Sequence, residues 1–132
     1  MKQYLIDTNT CIYYIKGKYN LKEKFEKADP DNCFISEITL AELIFGVENS
    51  EKKEKNQKAL DDFLTGVKII PIFHSLSNYA KEKSRLRKAG TPIDDFDLLI
   101  GATAITHNLI MVTNNIGHFN KIKVIQLEDW TK

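Results

Sequence analysis

The sequence is short of cysteine: Cys11 and Cys33 are its only two. They form no CxxC pair and no ligand cluster with His74, His107 and His118, which argues against a zinc site and against a disulfide framework. Two reduced, buried thiols in a cytoplasmic protein are expected instead. Long apolar runs are also missing. None approaches the ~20 residues that a membrane-spanning helix needs, so no membrane partner is expected. The opening Met1-Lys2-Gln3-Tyr4-Leu5-Ile6-Asp7 meets charge too early for a secretory signal. Neither sign of charge dominates. Nineteen basic residues face eighteen acidic ones, for a net charge of +1, so any basic footprint for a nucleic acid must be local. Without internal repeats, low-complexity stretches or a linker, the chain reads as a single domain, 1–132.

What the sequence does have is a regular alternation of short apolar runs and helical segments. Tyr4 to Ile6 reads as a buried strand that stops at Asp7-Thr8-Asn9 and leads into a helix through about Lys16. A short charged helix from Leu21 to Lys27 is closed by Asp29-Pro30-Asp31. Cys33-Phe34-Ile35 is a second strand, and Ser36 can cap a helix ending near Gly46. Glu48 to Leu64 reads as one charged helix. Val67 to Phe73 reads as a strand that Pro71 confines to an edge. Ser75 or Ser77 starts a helix that Gly90 ends, and Asp94 or Asp95 caps another running to about Asn108. Leu109 to Thr113 and Val124-Ile125 complete the strands. Strands this far apart cannot pair as hairpins. The expected fold class is therefore α/β, a central parallel β-sheet flanked by helices on both faces.

In such sheets ligands bind outside the carboxyl ends of the strands. Asp7 follows the first strand directly, and as a lone residue it reads equally well as a helix cap or as a catalytic acid. Asp97 lies in the first turn of a helix that Asp94 and Asp95 already cap, so it is surplus for capping. The rest of that helix, Leu98 to Ile105, is apolar and rich in small residues, which predicts deep burial and an acid in need of a partner. Thr113-Asn114-Asn115 follows a strand, where asparagines are also ordinary turn residues. Glu42 lies on a helical stripe with Ile38, Ala41 and Phe45, while Leu40, Leu43, Ile44 and Val47 form a second stripe. Apolar neighbours on both sides predict a buried glutamate, which is costly unless paired or bound to metal. No basic residue on its own helix can pair with it. The three histidines share no ligand spacing and read as structural. A site made of carboxylate and amide oxygens suits Mg²⁺ or Mn²⁺ rather than zinc, and such a cation can polarise a phosphate and activate water.

These segments resemble a known family. Leu5-Ile6-Asp7-Thr8-Asn9 resembles the opening of PIN domains. Ile38-Thr39-Leu40-Ala41-Glu42-Leu43 with Gly46-Val47 resembles their second acidic motif, and Gly90 to Ile100 the third. Val112-Thr113-Asn114-Asn115, Phe119 and Glu128-Asp129-Trp130 resemble the fourth motif and tail of VapC toxins. The resemblance covers nearly the whole chain, in order. It implies a PIN-like fold and a Mg²⁺-dependent ribonuclease that cuts an RNA phosphodiester. It further implies Asp7, Glu42 and Asp97 as metal-binding acids, control by a small VapB-like antitoxin, and a homodimer. Two positions depart from the pattern. Asn115 stands where many PIN domains have a fourth aspartate, and it is expected to contribute to catalysis less than the three acids. His118 stands where VapC sequences often have an acid.

Other surfaces are less telling. Lys81, Lys83, Arg85, Arg87 and Lys88 crowd one helix and fit either RNA phosphates or a solvated face. Tyr13, Tyr14 and Tyr19 fit either base stacking or partial burial. Two rival functions remain open: a catalytically silent PIN-fold module that binds RNA or antitoxin, and an aspartate-based phosphohydrolase or phosphotransferase. The second expects an aspartate two residues after Asp7, where Asn9 stands.

Overall fold

A computed structural model describes all 132 residues, Met1–Lys132. Five short strands, β1 (Tyr4–Ile6), β2 (Cys33–Ser36), β3 (Lys68–Ile70), β4 (Ile110–Val112) and β5 (Gln126–Glu128), form one sheet in the order β3-β2-β1-β4-β5. Every pairing is parallel. β1 is central, with Leu5 opposite Phe34 on one side and Met111 on the other.

Helices α1 (Thr8–Ile15), α2 (Leu21–Ala28), α3 (Glu37–Glu48) and α4 (Lys53–Leu64) enclose one hydrophobic core, in which Cys11, Phe25, Leu43 and Phe63 meet Ile6, Ile35 and Val112. Helices α5 (Leu76–Lys88), α6 (Asp95–Thr106) and α7 (Ile116–Phe119) enclose a second, in which Leu86, Leu98, Ile100 and Phe119 meet Leu5 and Met111. Successive strand residues point to opposite faces, so Leu5 serves one core and Ile6 the other. This is the doubly covered parallel sheet that the alternation predicts. α6 is buried nearly all round, with Leu98 and the run Ile100 to Ala104 inaccessible. Gly101 permits that approach, since a Cβ there would overlap Ile122 Cδ1.

Four local expectations differ from the structure. The strand expected over Val67 to Phe73 is only Lys68–Ile70, because Pro71 has no N–H to continue the ladder and Phe73 opens a 3₁₀ turn, Phe73–Ser75. The last strand is Gln126–Glu128 rather than Val124-Ile125. Val124 has φ +60°, a left-handed turn conformation that no strand residue adopts, and the half-exposed edge strand that follows lacks an apolar run. The charged segment from Glu48 is not one helix. Asn49 ends α3, the Ser50 hydroxyl donates to the Val47 carbonyl oxygen at 2.7 Å, and α4 starts at Lys53. Asn and Ser are turn residues because their side chains bond the local backbone. Finally, α3 buries one side only. Thr39 and Leu43 are inaccessible, while Ile44 is 51% and Phe45 68% exposed. The outer face of α3 has no further layer to cover it, so Glu42 is half-buried rather than enclosed.

Candidate active site

The chain proceeds from β1 to β2 and β3 on one side, then crosses to β4 and β5 on the other. The order therefore reverses between β1 and β4, and a crevice opens at their carboxyl ends. A cleft of about 260 Å³ lies there, lined by Asp7, Thr8, Asn9, Glu42, Asp94, Asp97 and Asn115, with Ile100 and Phe119. The four residues singled out in the sequence thus share one cleft, although they come from the end of β1, α3, α6 and the turn after β4. No lysine or arginine lines it.

Asp7 is the most buried of the acids, at 4% exposure. The capping and functional readings of Asp7 turn out to be compatible. Its Oδ1 accepts the Thr10 N–H at 2.8 Å and caps α1, while its side chain also borders the cleft. Burial raises its pKa, against hydrogen bonding from Thr10 and Thr113 that lowers it. Asp129 in the C-terminal tail adds a smaller upward push. Asp7 is thus a desolvated carboxylate without a basic partner, a situation that a bound cation relieves.

Glu42 is held from the side of α1. The Thr8 hydroxyl donates to its Oε1 at 2.6 Å, and Thr8 Oγ1 also lies 3.1 Å from Thr39 Oγ1. A hydroxyl has one proton. With Thr8's committed to Glu42, the proton of the second bond comes from Thr39. A hydroxyl relay thus runs from the buried base of α3 to the carboxylate.

Asp97 lies one turn into α6, whose N-terminus Asp94 caps by accepting the Phe96 and Asp97 N–H groups. Partial burial raises the Asp97 pKa most, and the charge of Asp94 adds to it. His118 acts in the other direction, with its Nε2 3.1 Å from Asp97 Oδ2. The sequence marks His118 as a departure from the family motif and otherwise as structural, and Asp94 as a cap alone. The helix that carries His118, α7, starts just after the turn that carries Asn115, and that proximity to the fourth motif is the signal for it. For Asp94 the signal was its spacing of three from Asp97, which places both at the same helix mouth. Asn115 reaches the cleft from the turn after β4. Its N–H donates to Thr113 Oγ1 at 3.0 Å, which leaves the side-chain amide for other partners.

All the donors facing the cleft are oxygens, a set that suits a hard divalent cation. As the side chains stand, no three His, Cys, Asp or Glu residues are grouped closely enough to hold a metal. Each acid is held by a neighbour instead: Asp7 by Thr10, Glu42 by Thr8, Asp97 by His118.

The basic helix is partly neutralised. Lys83 pairs with Asp95 at 2.8 Å, and Arg85 makes two bonds to Glu82 and one to the Lys121 carbonyl oxygen. Lys81, Arg87 and Lys88 are exposed. Tyr14 packs against Phe25 and Phe63 in the core.

Comparison with known proteins agrees with this geometry. The chain is 41% identical over 134 residues to ribonuclease VapC2 of Rickettsia felis, covering 98% of each. It is 34% identical over 132 residues to the tRNA(fMet)-specific endonuclease VapC of Salmonella typhimurium, covering 98% of this chain and 99% of that protein. In structure it is similar to a chain of DNA-bound VapBC from Salmonella typhimurium, with a TM-score of 0.92 and 32% identity over 98% of this chain and 99% of that one. The PIN domain family profile matches residues 4–125, and the chain belongs to the PIN domain family.

Proposed function

We propose that this chain, as a single PIN domain, is a Mg²⁺-dependent endoribonuclease and the toxin of a VapBC-type pair, acting in the cytoplasm. The observation that carries the reading is the convergence of Asp7, Glu42 and Asp97, from three separate elements, on one cleft without a basic side chain. Asp7, Glu42 and Asp97 would hold Mg²⁺, or Mn²⁺ in its place. When bound, the cation would neutralise charge at the scissile phosphate and make water a better nucleophile. Asp7 supplies a carboxylate that α1 fixes through the Thr10 N–H, so it needs little ordering on binding. Thr8 orients Glu42, and His118 orients Asp97. Asn115 adds a neutral amide oxygen, a weaker contribution than a carboxylate but one without further repulsion.

The proposed partners have support of their own. An apolar groove of about 340 Å³, lined by Ile12, Ile15, Leu43, Val47 and Leu60, adjoins the acidic cleft and shares Glu42 with it. An antitoxin segment with an apolar stretch followed by a cationic side chain would match that juxtaposition. The exposed Ile44 and Phe45 on α3 support a homodimer, since a monomer rarely leaves such residues uncovered side by side.

Incubation of the purified chain with mixed RNA, with Mg²⁺ and with EDTA, tests the reading. New RNA ends are expected in Mg²⁺ alone, and co-expression of the neighbouring small open reading frame is expected to suppress them and to co-purify. Cleavage in EDTA would refute the cation site. Cleavage that no neighbouring product restrains would refute the toxin assignment and leave the nuclease intact.

The hydroxyl relay gives a second expectation. Thr8→Val keeps the shape and removes the bond to Glu42. Loss of a group that orients a ligand typically costs roughly 10- to 100-fold in metal affinity or activity, so a Mg²⁺ titration of the rate should shift right by about tenfold. Thr8→Ser should recover most of it. An unchanged Mg²⁺ dependence in Thr8→Val would show that Glu42 needs no such support.

A further inference from the structure

Tyr13 and Tyr19 form an edge-to-face pair, with ring centroids 5.2 Å apart, and Tyr19 is 51% exposed. The turn that presents Tyr19 is conformationally costly. Gly17, Tyr19 and Asn20 all have positive φ, at 74°, 61° and 54°. Glycine adopts that region freely and asparagine tolerates it, but a tyrosine does so only when its surroundings hold it there. Nothing in the core requires it, because the ring points to solvent beside Tyr13. The pair is also tied to the cleft. Asn114 Nδ2 donates to the Tyr13 hydroxyl at 3.3 Å, and the next residue, Asn115, lines the acidic cleft. Adjacent Cα atoms are only about 3.8 Å apart, so the Tyr13 hydroxyl is bonded to the immediate neighbour of a residue that lines the cleft. The amide oxygen of Asn114 and its second N–H have no intramolecular partner.

The surroundings have the charge of a nucleic-acid path. Lys16, Lys18, Lys22, Lys24 and Lys27 lie along the same segment, against Glu23 and Glu26. None of the five pairs with an acidic side chain, and only Lys24 is engaged, donating to the Lys132 main-chain oxygen at 3.4 Å. A cavity of about 390 Å³ beside Tyr19 is bordered by Lys24, Lys27 and Lys132, with Glu23 as its one acid. Aromatic rings interleaved with cations are the usual platform for single-stranded nucleic acid, because every base has a π-face to stack and a phosphate to neutralise. A ring held in a strained turn loses little freedom on binding.

We infer that Tyr19, backed by Tyr13 and linked through it to Asn114, is a stacking site for one unpaired nucleobase of the RNA substrate, on the Asn114 side of the cleft. The inference rests on the ribonuclease reading. Asn114 offers that base a donor and an acceptor, which is what recognition of a splayed-out base edge requires. The site would favour a loop or single strand over a duplex, whose bases are already stacked.

The test uses a single-stranded oligoribonucleotide carrying 2-aminopurine, whose fluorescence falls on stacking. Binding is measured in EDTA at low salt, so that no cleavage intervenes, for wild type, Tyr19→Ala and Tyr19→Phe, with melting curves for each. Tyr19→Ala is expected to weaken binding roughly five- to hundredfold and to abolish the quenching. Tyr19→Phe should keep both, since it retains the ring. In Mg²⁺, Tyr19→Ala should raise KM while kcat stays within about twofold, as expected for lost binding common to ground and transition states. Wild-type quenching and affinity in Tyr19→Ala would overturn the stacking site, as would a Tyr19→Phe variant as weak as Tyr19→Ala with an unchanged melting curve. If wild type binds with quenching but does not cut RNA in Mg²⁺, the stacking site stands and the nuclease reading fails.

Discussion

Asp7→Asn is expected to lower RNA cleavage by roughly a hundredfold or more and to raise the melting temperature of the metal-free protein. The two effects have one origin. Asp7 is 4% exposed, and burial lifts its pKa above the ordinary 3.8. An acid whose folded pKa is raised destabilises the fold as pH climbs from the unfolded pKa through the folded one, because the unfolded state gives up its proton first. Above that window the penalty is fully present, and asparagine removes it. Asparagine also caps a helix about as well as aspartate, so the bond from the Thr10 N–H survives. What it removes is the charge that would hold the proposed cation, and loss of several kcal/mol of transition-state stabilisation corresponds to about two powers of ten or more in rate. Asp7→Ala separates the roles further. It should be as inactive as Asp7→Asn yet less stable, by about 1 kcal/mol, because the cap is lost. Melting curves from pH 3 to 7, alongside cleavage assays, check both parts. An active Asp7→Asn would remove Asp7 from the catalytic set. Equal stability of the two variants would show that the cap contributes nothing.

Saturation with Mg²⁺ is expected to raise the wild-type melting temperature by roughly 10 °C. A ligand that binds only the folded state at about 100 times its Kd stabilises by about 2.7 kcal/mol, and a chain of this size shifts by roughly 3–5 °C per kcal/mol. The effect requires acids from separate elements to share the ion. Those acids are Asp7 after β1, Glu42 on α3 and Asp97 on α6. Asp97→Asn should therefore lose most of the shift. In the absence of metal it should melt at or above the wild-type temperature, since burial and the neighbouring charge of Asp94 both oppose ionisation of Asp97. Differential scanning fluorimetry with Mg²⁺, Mn²⁺ and EDTA measures all of this. A melting curve that ignores divalent cations, together with a destabilised Asp97→Asn, would dismantle the shared site.

The sequence revealed the parts of this molecule that obey local rules. Strand runs bounded by Asp7, Ser36 and Asn114 could be read, because buried parallel strands are apolar and end abruptly at polar residues. The Asp94 cap and the deep burial of α6 followed from capping chemistry and small-residue content. Asp97 stood out because two better-placed caps precede it. The sequence did not reveal what tertiary packing decides. Glu42 was singled out on an argument of enclosure, yet α3 leaves Ile44 and Phe45 exposed. Glu42 reaches the cleft because Thr8 draws it there, a contact across 34 positions that no periodicity encodes. The approach of His118 to Asp97 likewise depends on α7 folding back at the end of β4.

β1 has only three residues, and its last two and the residue after them have different addresses: Leu5 belongs to one core, Ile6 with Tyr4 to the other, and Asp7 follows at the mouth of the cleft. A slip of one position would exchange the two side chains between faces and withdraw the carboxylate. The two cores therefore act together as a gauge that sets the depth of Asp7. Mutational damage to this chain should for that reason spread beyond its acids. Substitutions at Leu5, Ile6, Met111 or Val112 that leave the protein folded would still blunt it, by letting the strand drift in its groove.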